Sequence, residues 1–228
     1  MFKPSSMDLI RAGLQDLDRA RALFGQLKAD AIADGRCAEL LGVLAHACDP
    51  DVALGNFVDI VNAMQSSRRD LDRVIPDAGA LRRLITVLGA SDAMGKFMRF
   101  RPELVEAASV GSADSHLFNR AQRRARLLMA VGADPDDQAM PVASKDLAEA
   151  ATALRAGYRR QLAAIIAQDV MAEDPIRIQP TISSELSDLA DAALEGALAI
   201  ARHETEGSEH VRFTIIGMGK LGAQELNY

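Results

Sequence analysis

The residues best suited to chemistry stand near the C-terminal end, in the stretch VRFTIIGMGKLGAQELNY. Gly217, Gly219 and Gly222 follow an apolar, β-branched run in G-x-G-x-x-G spacing. Glycines so placed let backbone N–H groups come close to an anion, and a helix starting there adds the positive end of its dipole. Lys220 supplies a compact positive charge within the turn. Glu225 reads as a first-turn helix carboxylate favoured by the dipole. The chemistry indicated is the holding of nucleotide phosphates. Dinucleotide-binding proteins share this spacing, but their fingerprint also requires a second strand and an acidic residue about 20 positions later. The sequence up to Tyr228 supplies neither. An ATPase P-loop does not fit, because Leu221 stands where Ser or Thr must follow the lysine.

Two groups of arginines are the next candidates. Arg120, Arg123, Arg124 and Arg126 form one, and Arg155, Arg159 and Arg160 the other. Helical spacing puts Arg120, Arg123 and Arg124 on one face, and Arg155 with Arg159 on another. Such faces bind an acidic partner or a nucleotide or, more commonly, are solvated and paired with Asp and Glu. His46, His116, His203 and His210 have neither H-x-x-x-H nor H-E-x-x-H spacing, so they are expected to be structural or exposed. Cys37 and Cys48 lack C-x-x-C spacing and are expected as two reduced core thiols. No metal site is expected within the chain.

The elements that must position these residues follow from composition and periodicity. The 228 residues are 49% hydrophobic and 25% charged, a globular balance. With no Trp, two Tyr and seven Phe, the abundant Ala and Leu predict helices packed through small side chains. A net charge of −6 gives no general reason to expect nucleic acid. No apolar run approaches the ~20 residues of a membrane span, and MFKPSSMDLIRAG has no signal-peptide core, so a cytoplasmic location is expected.

Ile10, Leu14, Leu17, Phe24, Leu27 and Ala31 predict one long amphipathic helix from Ser6 to Ile32, capped by Ser5 with Asp8 and stopped at Gly35. CAELLGVLAHACDP predicts a second helix ending near Asp49, and the next restarts with Asp51 as its cap and Val58, Ile60, Val61 and Met64 buried. Ser91 and Asp92 mark a helix start, and Pro102 a break or a new first turn. SHLFNRAQRRARLLMAVGA is helical and DPDDQAMP a loop. Helix resumes at SKDLAEAATALRAGYRRQLAAIIAQDVMAE, runs out at DPIRIQP, and resumes at TISSELSDLADAALEGALAIARHE. Leu186, Leu189, Ala193, Leu194, Ala197 and Ile200 form the apolar stripe of that last segment. After the polar turn TEGSEH, VRFTII has the composition of a strand. The prediction is mainly α: a helical domain over residues 1–205, then a second domain that begins at 206–228 with a first strand and is incomplete.

Beyond its glycines, IIGMGKLGAQELNY resembles the strand and loop that open the catalytic domain of glutamine synthetase adenylyltransferases. These bifunctional enzymes attach AMP to glutamine synthetase and remove it. Their pattern is G-M-G-K-L-G-G-x-E-L-N-Y, and Ala223 departs from it where a glycine is usual. LRAGYRRQLAAIIAQDV and ELSDLADAALEGALAIAR resemble the helices that precede that domain. LGASDAMGKFMRFRPEL looks like the family's L-G-A-S-x-x-L-G stretch, with Met94 in place of leucine. The E-L-N-Y ending is more like the first of the family's two catalytic domains, the AMP-removing one.

The resemblance implies a truncated polymerase beta-like α/β nucleotidyltransferase domain. Gly217, Gly219, Gly222 and Lys220 would contact phosphate, and Glu225 would orient the loop or lie just behind the metal ligands. An S-D-x-D motif, expected shortly beyond Tyr228, would hold magnesium ions. Two metals about 3.5–4 Å apart stabilise both the entering and the leaving oxygen of an in-line displacement. In one implied reaction, ATP modifies a tyrosine of glutamine synthetase and releases pyrophosphate. In the other, inorganic phosphate removes the AMP as ADP. Glutamine synthetase and a PII-type nitrogen regulatory protein are the implied partners, with no nucleic acid and no membrane. Lacking the S-D-x-D carboxylates, this chain alone is expected to be inactive. The other readings are a Rossmann-type NAD-dependent enzyme with an N-terminal helical domain, and a helical interaction module whose terminal strand is a stub.

Overall fold

The computed structural model describes residues 2–27, 34–66, 71–109 and 119–228. Its chain divides into two compact units. The first comprises Met1–Asp114 with Ile166–Met171, and the second Ser115–Ile165 with Ala172–Tyr228.

In the first unit, α1 (Ser6–Arg11) and α2 (Leu17–Gln26) replace the long helix expected over 6–32. Ser5 and Asp8 form the expected capping box. The helix then stops because Gly13 takes φ 79°, with Gly13 N–H donating to Ile10 and Leu14 N–H to Leu9, the closure that only a left-handed residue permits. The break shifts the face: Leu9 is buried, while Ile10 is exposed. Leu14, Phe24 and Leu27 are buried as expected, and Leu17 is half-buried. Ala31 lies outside the described residues.

α3 (Asp34–Leu44) contains Gly35 rather than stopping at it. α4 (Pro50–Ser66) begins on the proline itself, and its cap is Asp49, whose carboxylate accepts from Val52 N–H at 2.9 Å. Asp51 instead holds the turn before α2, accepting from the N–H groups of Gln15 and Asp16. Val58, Ile60, Val61 and Met64 are buried as expected. After α5 (Leu71–Val74), α6 (Ala78–Ala90) packs its buried Leu81, Leu84, Ile85 and Leu88 against α3, α4 and α8 (Pro102–Ser109). Ser91 caps α7 (Asp92–Arg99), and Pro102 opens α8. In the LGASDAMG stretch, a Cβ on Gly95 would lie 2.8 Å from Asn56 Cβ, so that glycine sets how closely α7 meets α4. Cys37 is buried as expected, but Cys48 is exposed, because α3 ends at Leu44 and leaves it in a turn.

In the second unit, α9 (Arg120–Ala130) lies against α11 (Pro175–Glu204), and α10 (Leu147–Met171) contributes its residues as far as Ile165. Leu127, Ile165, Ile182, Leu186, Leu189 and Ala192 make one core cluster. Leu128, Val131, Ala143, Ala150, Ala199 and Ile200 belong to another. The interruption expected at DPIRIQP is confined to Ala172–Asp174, and helix α11 begins at Pro175 and runs on through Pro180. Asp174 caps it, Pro175 sits at its first position, and Pro180 falls in an exposed stretch where water can serve the freed carbonyl. Its core face includes Ala192, Gly196 and Ala199, whereas Ala197 is exposed and Ala193 and Leu194 are half-buried. The DPDDQAMP loop is tied down by Arg124, which donates to the carbonyls of Pro135 and Asp137 at 2.7 Å each.

The strand expected over VRFTII is not formed: among the described residues there is no strand. A strand is completed by lateral hydrogen bonds to a neighbour, and residues 211–218 have none. Val211, Phe213, Ile215 and Ile216 are exposed. No helix among the described residues is long and apolar enough to cross a membrane.

Candidate functional site

The five residues singled out in the sequence lie in a single turn built around α12 (Gly219–Gly222). A Cβ on Gly222 would stand 2.6 Å from the Gly217 carbonyl oxygen, so the turn folds this tightly only with glycine there. Gly219 takes φ 59°, and open space surrounds the position of its absent Cβ. Met218, the residue before α12, offers no side-chain cap to the helix N–H groups. Lys220 Nζ donates to Asn227 Oδ1 at 3.0 Å and remains exposed. Glu225 is exposed, and its N–H donates to the Lys220 carbonyl at 2.8 Å.

That bond, with Gln224 N–H to the Leu221 carbonyl at 3.1 Å, closes α12 in a Schellman turn. The left-handed position is filled by Gln224 at φ 58°, where a side chain costs about 1–2 kcal/mol. The turn therefore needs support from outside itself, and α11 supplies it. Ser184 Oγ meets Gln224 Oε1 at 3.2 Å, Leu226 N–H donates to Ser187 Oγ at 3.4 Å, and the Leu226 side chain packs on the Leu127–Ile182–Leu186–Leu189 cluster. Sequence reasoning missed Gln224, Leu226, Asn227 and the two serines as parts of the site. Their only signal was membership of the QELNY string and an i, i+3 serine pair on one helix.

A phosphate fits this turn in one respect: open, uncapped backbone beside a single exposed lysine suits an anion. Magnesium does not fit. Among the described residues no group of three or more His, Cys, Asp or Glu could hold a metal ion. His46, His203 and His210 are exposed, and His116 lies outside the described residues.

In the first arginine group, Arg120, Arg123 and Arg124 share a face, and that face is turned onto α11, while Arg126 is exposed. Arg120 pairs with Asp191 at 2.9 Å and lies 3.9 Å from Asp188. Arg124 clasps both carboxylate oxygens of Glu195, at 2.8 and 2.7 Å. Arg123 is only 1% exposed; it pairs with Glu185 and donates to Gln161 Oε1 at 3.3 Å. Burial pulls its guanidinium down to about 10, opposed by the charge of Asp188. Burial likewise raises Asp188 above the usual carboxylate value, while Arg120 and Arg123 draw it back. Arg123 and Arg124 are thus internal ties and not a docking face. In the second group, Arg155 and Arg160 are exposed and Arg159 is half-buried.

Comparison with known proteins matches residues 81–228 to the family model described as glutamate-ammonia ligase adenylyltransferase. The whole chain is 83% identical to part of a bifunctional glutamine synthetase adenylyltransferase/adenylyl-removing enzyme of Bifidobacterium longum, of which it covers 21%. It is 35% identical over 98% of its length to the enzyme so named in Cutibacterium acnes, covering 22% of it. With that of Leifsonia xyli it shares 37% identity over 96% of its length, again covering 22%. The chain therefore spans about a fifth of the length of these relatives. No solved structure matches it. A family match running from α6 through the glycine turn places this chain in the glutamate-ammonia ligase adenylyltransferase family.

Proposed function

We infer that this chain is the N-terminal part of an enzyme that adenylylates a tyrosine of glutamine synthetase with ATP and removes the AMP by phosphorolysis, regulating nitrogen assimilation in the cytoplasm. One observation carries the reading: the family match continues through Gly217–Gly222 to residue 228, the turn in which phosphate-binding residues were expected. Residues 1–205 are the helical domain and 206–228 open the AMP-removing nucleotidyltransferase domain. VRFTII becomes the first strand of that domain once a neighbouring strand supplies its hydrogen bonds. The dinucleotide-binding alternative has no support beyond the glycine spacing.

Within the turn, each residue has a part that follows from its chemistry. Gly219 leaves the backbone open to an approaching phosphate oxygen, and Gly222 lets the turn close tightly on Gly217. Lys220 neutralises charge on that phosphate, and Asn227 keeps the ammonium near the turn through the 3.0 Å bond. Glu225 orients the loop through its backbone bond to Lys220. A magnesium ion would take its ligands from outside these residues. A PII-type nitrogen regulator is the proposed partner that sets the balance of the two reactions.

The test follows ADP release from AMP-modified glutamine synthetase in the presence of inorganic phosphate. In the full-length enzyme, Lys220→Ala removes one charge-assisted contact and lowers kcat/KM about 10–100-fold. An unchanged value refutes the phosphate role. The 228-residue chain alone should show no turnover, and appreciable release of ADP by it would refute the incompleteness of its catalytic centre.

A further inference from the structure

The geometry points to Ser187, with Ser184 beside it, as positioning residues that set the glycine turn from helix α11. This inference rests on the phosphate-holding reading of that turn.

Ser187 is fully buried, in a helix whose neighbouring core positions are Leu186 and Leu189. Its hydroxyl donates to the Ser183 carbonyl at 2.8 Å, which commits its proton and leaves its lone pairs to receive the Leu226 N–H. Ser184 lies three residues before Ser187 and meets Gln224, the residue held in the left-handed conformation. Both contacts reach the end of the turn, whereas Gly217–Gly222 form its phosphate-facing part. The link between the two is rigid: Glu225 N–H closes onto Lys220, the lysine itself. Moving Leu226 and Gln224 therefore moves Lys220. The same stretch of α11 carries Glu185 and Asp188, whose contacts with Arg123 and Arg120 fix the rotation of the helix. The buried ion cluster, the serines and the turn form one mechanical unit within the second unit of the chain. Misplacement of a reacting or binding group by about 1 Å can cost ~100-fold in rate, so these hydroxyls act on the reaction without touching substrate.

The experiment uses Ser184→Ala, Ser187→Ala and the double variant in the full-length enzyme, with two readouts. Amide hydrogen exchange across residues 219–228 should speed up about fivefold per lost hydrogen bond, while exchange in the core stretch 189–200 stays unchanged. The KM for inorganic phosphate should rise in the same order, with the KM for AMP-modified glutamine synthetase constant. Unchanged exchange at 219–228 in all three variants overturns the positioning role. Exchange that speeds up equally across 189–200 also overturns it, since the serines would then only stabilise the helix. Faster exchange confined to 219–228 with an unmoved phosphate KM overturns the phosphate reading of the turn, and the anchoring by α11 stands.

Discussion

Replacing Arg123 with methionine keeps an unbranched apolar stem in place and deletes the buried charge together with its hydrogen bond to Gln161. The guanidinium is 1% exposed, and its acidic neighbours Glu185 and Asp188 are 15% and 18% exposed. Once the cation is gone, Glu185 loses its partner and Asp188 retains only Arg120, at 3.9 Å. Breaking a buried ion pair on one side costs about 3–5 kcal/mol. Partial exposure of the two acids places this case at the lower end, near 3 kcal/mol. With a urea m-value of roughly 1–3 kcal/mol/M, the midpoint for the α9–α11 unit falls by about 1–3 M. The double variant Arg123→Met/Glu185→Leu should recover most of the loss, because the native cluster is itself incompletely satisfied. Arg123 Nε and Gln161 Nε2 have no hydrogen-bond partner, so an apolar substitute forfeits little. Urea titration followed by circular dichroism measures both. A single variant that loses less than about 1 kcal/mol, or a double no more stable than the single, would refute the reasoning.

Two further perturbations test the packing and the electrostatics. Gly95→Ala gains roughly 1 kcal/mol of helix propensity, but its methyl collides with the Asn56 side chain, 2.8 Å away at Cβ, in a site where overpacking costs about 1–3 kcal/mol. The expected net effect is a lowered melting temperature that Asn56→Ala partly restores; a raised one would show that α4 and α7 can move apart. Asp137 and Asp188, both in the second unit, should show opposite pH slopes. The backbone N–H groups of Met140 and Ala139, helped by Arg202 and Arg124, hold Asp137 below its usual value, so its stabilisation is present above pH ~4 and lost as pH falls through the lowered value. Burial holds Asp188 above its usual value, so its favourable contribution is present at low pH and lost as pH rises through the raised one. Between about pH 3 and pH 7, Asp137→Asn should therefore become more destabilising relative to the parent, and Asp188→Asn less so. Urea midpoints at the two pH values decide it, and parallel slopes would contradict both assignments.

The helices legible in the sequence were those whose signals are local. Ser5 with Asp8, Ser91 and the apolar spacing of Val58, Ile60, Val61 and Met64 each act within a turn or two of chain, and they behave as the sequence predicts. The glycine turn was legible for the same reason, since its tight contact joins Gly217 to Gly222 five residues on. Where the reading failed, a local signal was ambiguous or overruled. Gly13 ended a helix that apolar periodicity alone would have continued, and Pro180 failed to end one because the strongly capped, exposed start of α11 absorbs it. VRFTII has the composition of a strand, yet composition cannot supply the neighbour with which a strand must pair.

The fate of the charges depended wholly on tertiary structure. The spacing of Arg120, Arg123 and Arg124 predicted one face, but nothing local indicated whether water or a helix some 70 residues away would cover it. Their carboxylate partners are separated from them by 62–71 positions and meet them only because α9 packs on α11. The serines under the turn, 39–40 residues before the backbone and side chain they hold, were invisible for that reason. By itself the sequence determined the helical class, the caps at Ser5 and Ser91 and the family motif, since each is written in short-range spacing. Tertiary packing decided which charges are buried and what holds the glycine turn in place, because those contacts join residues that only the folded chain brings together.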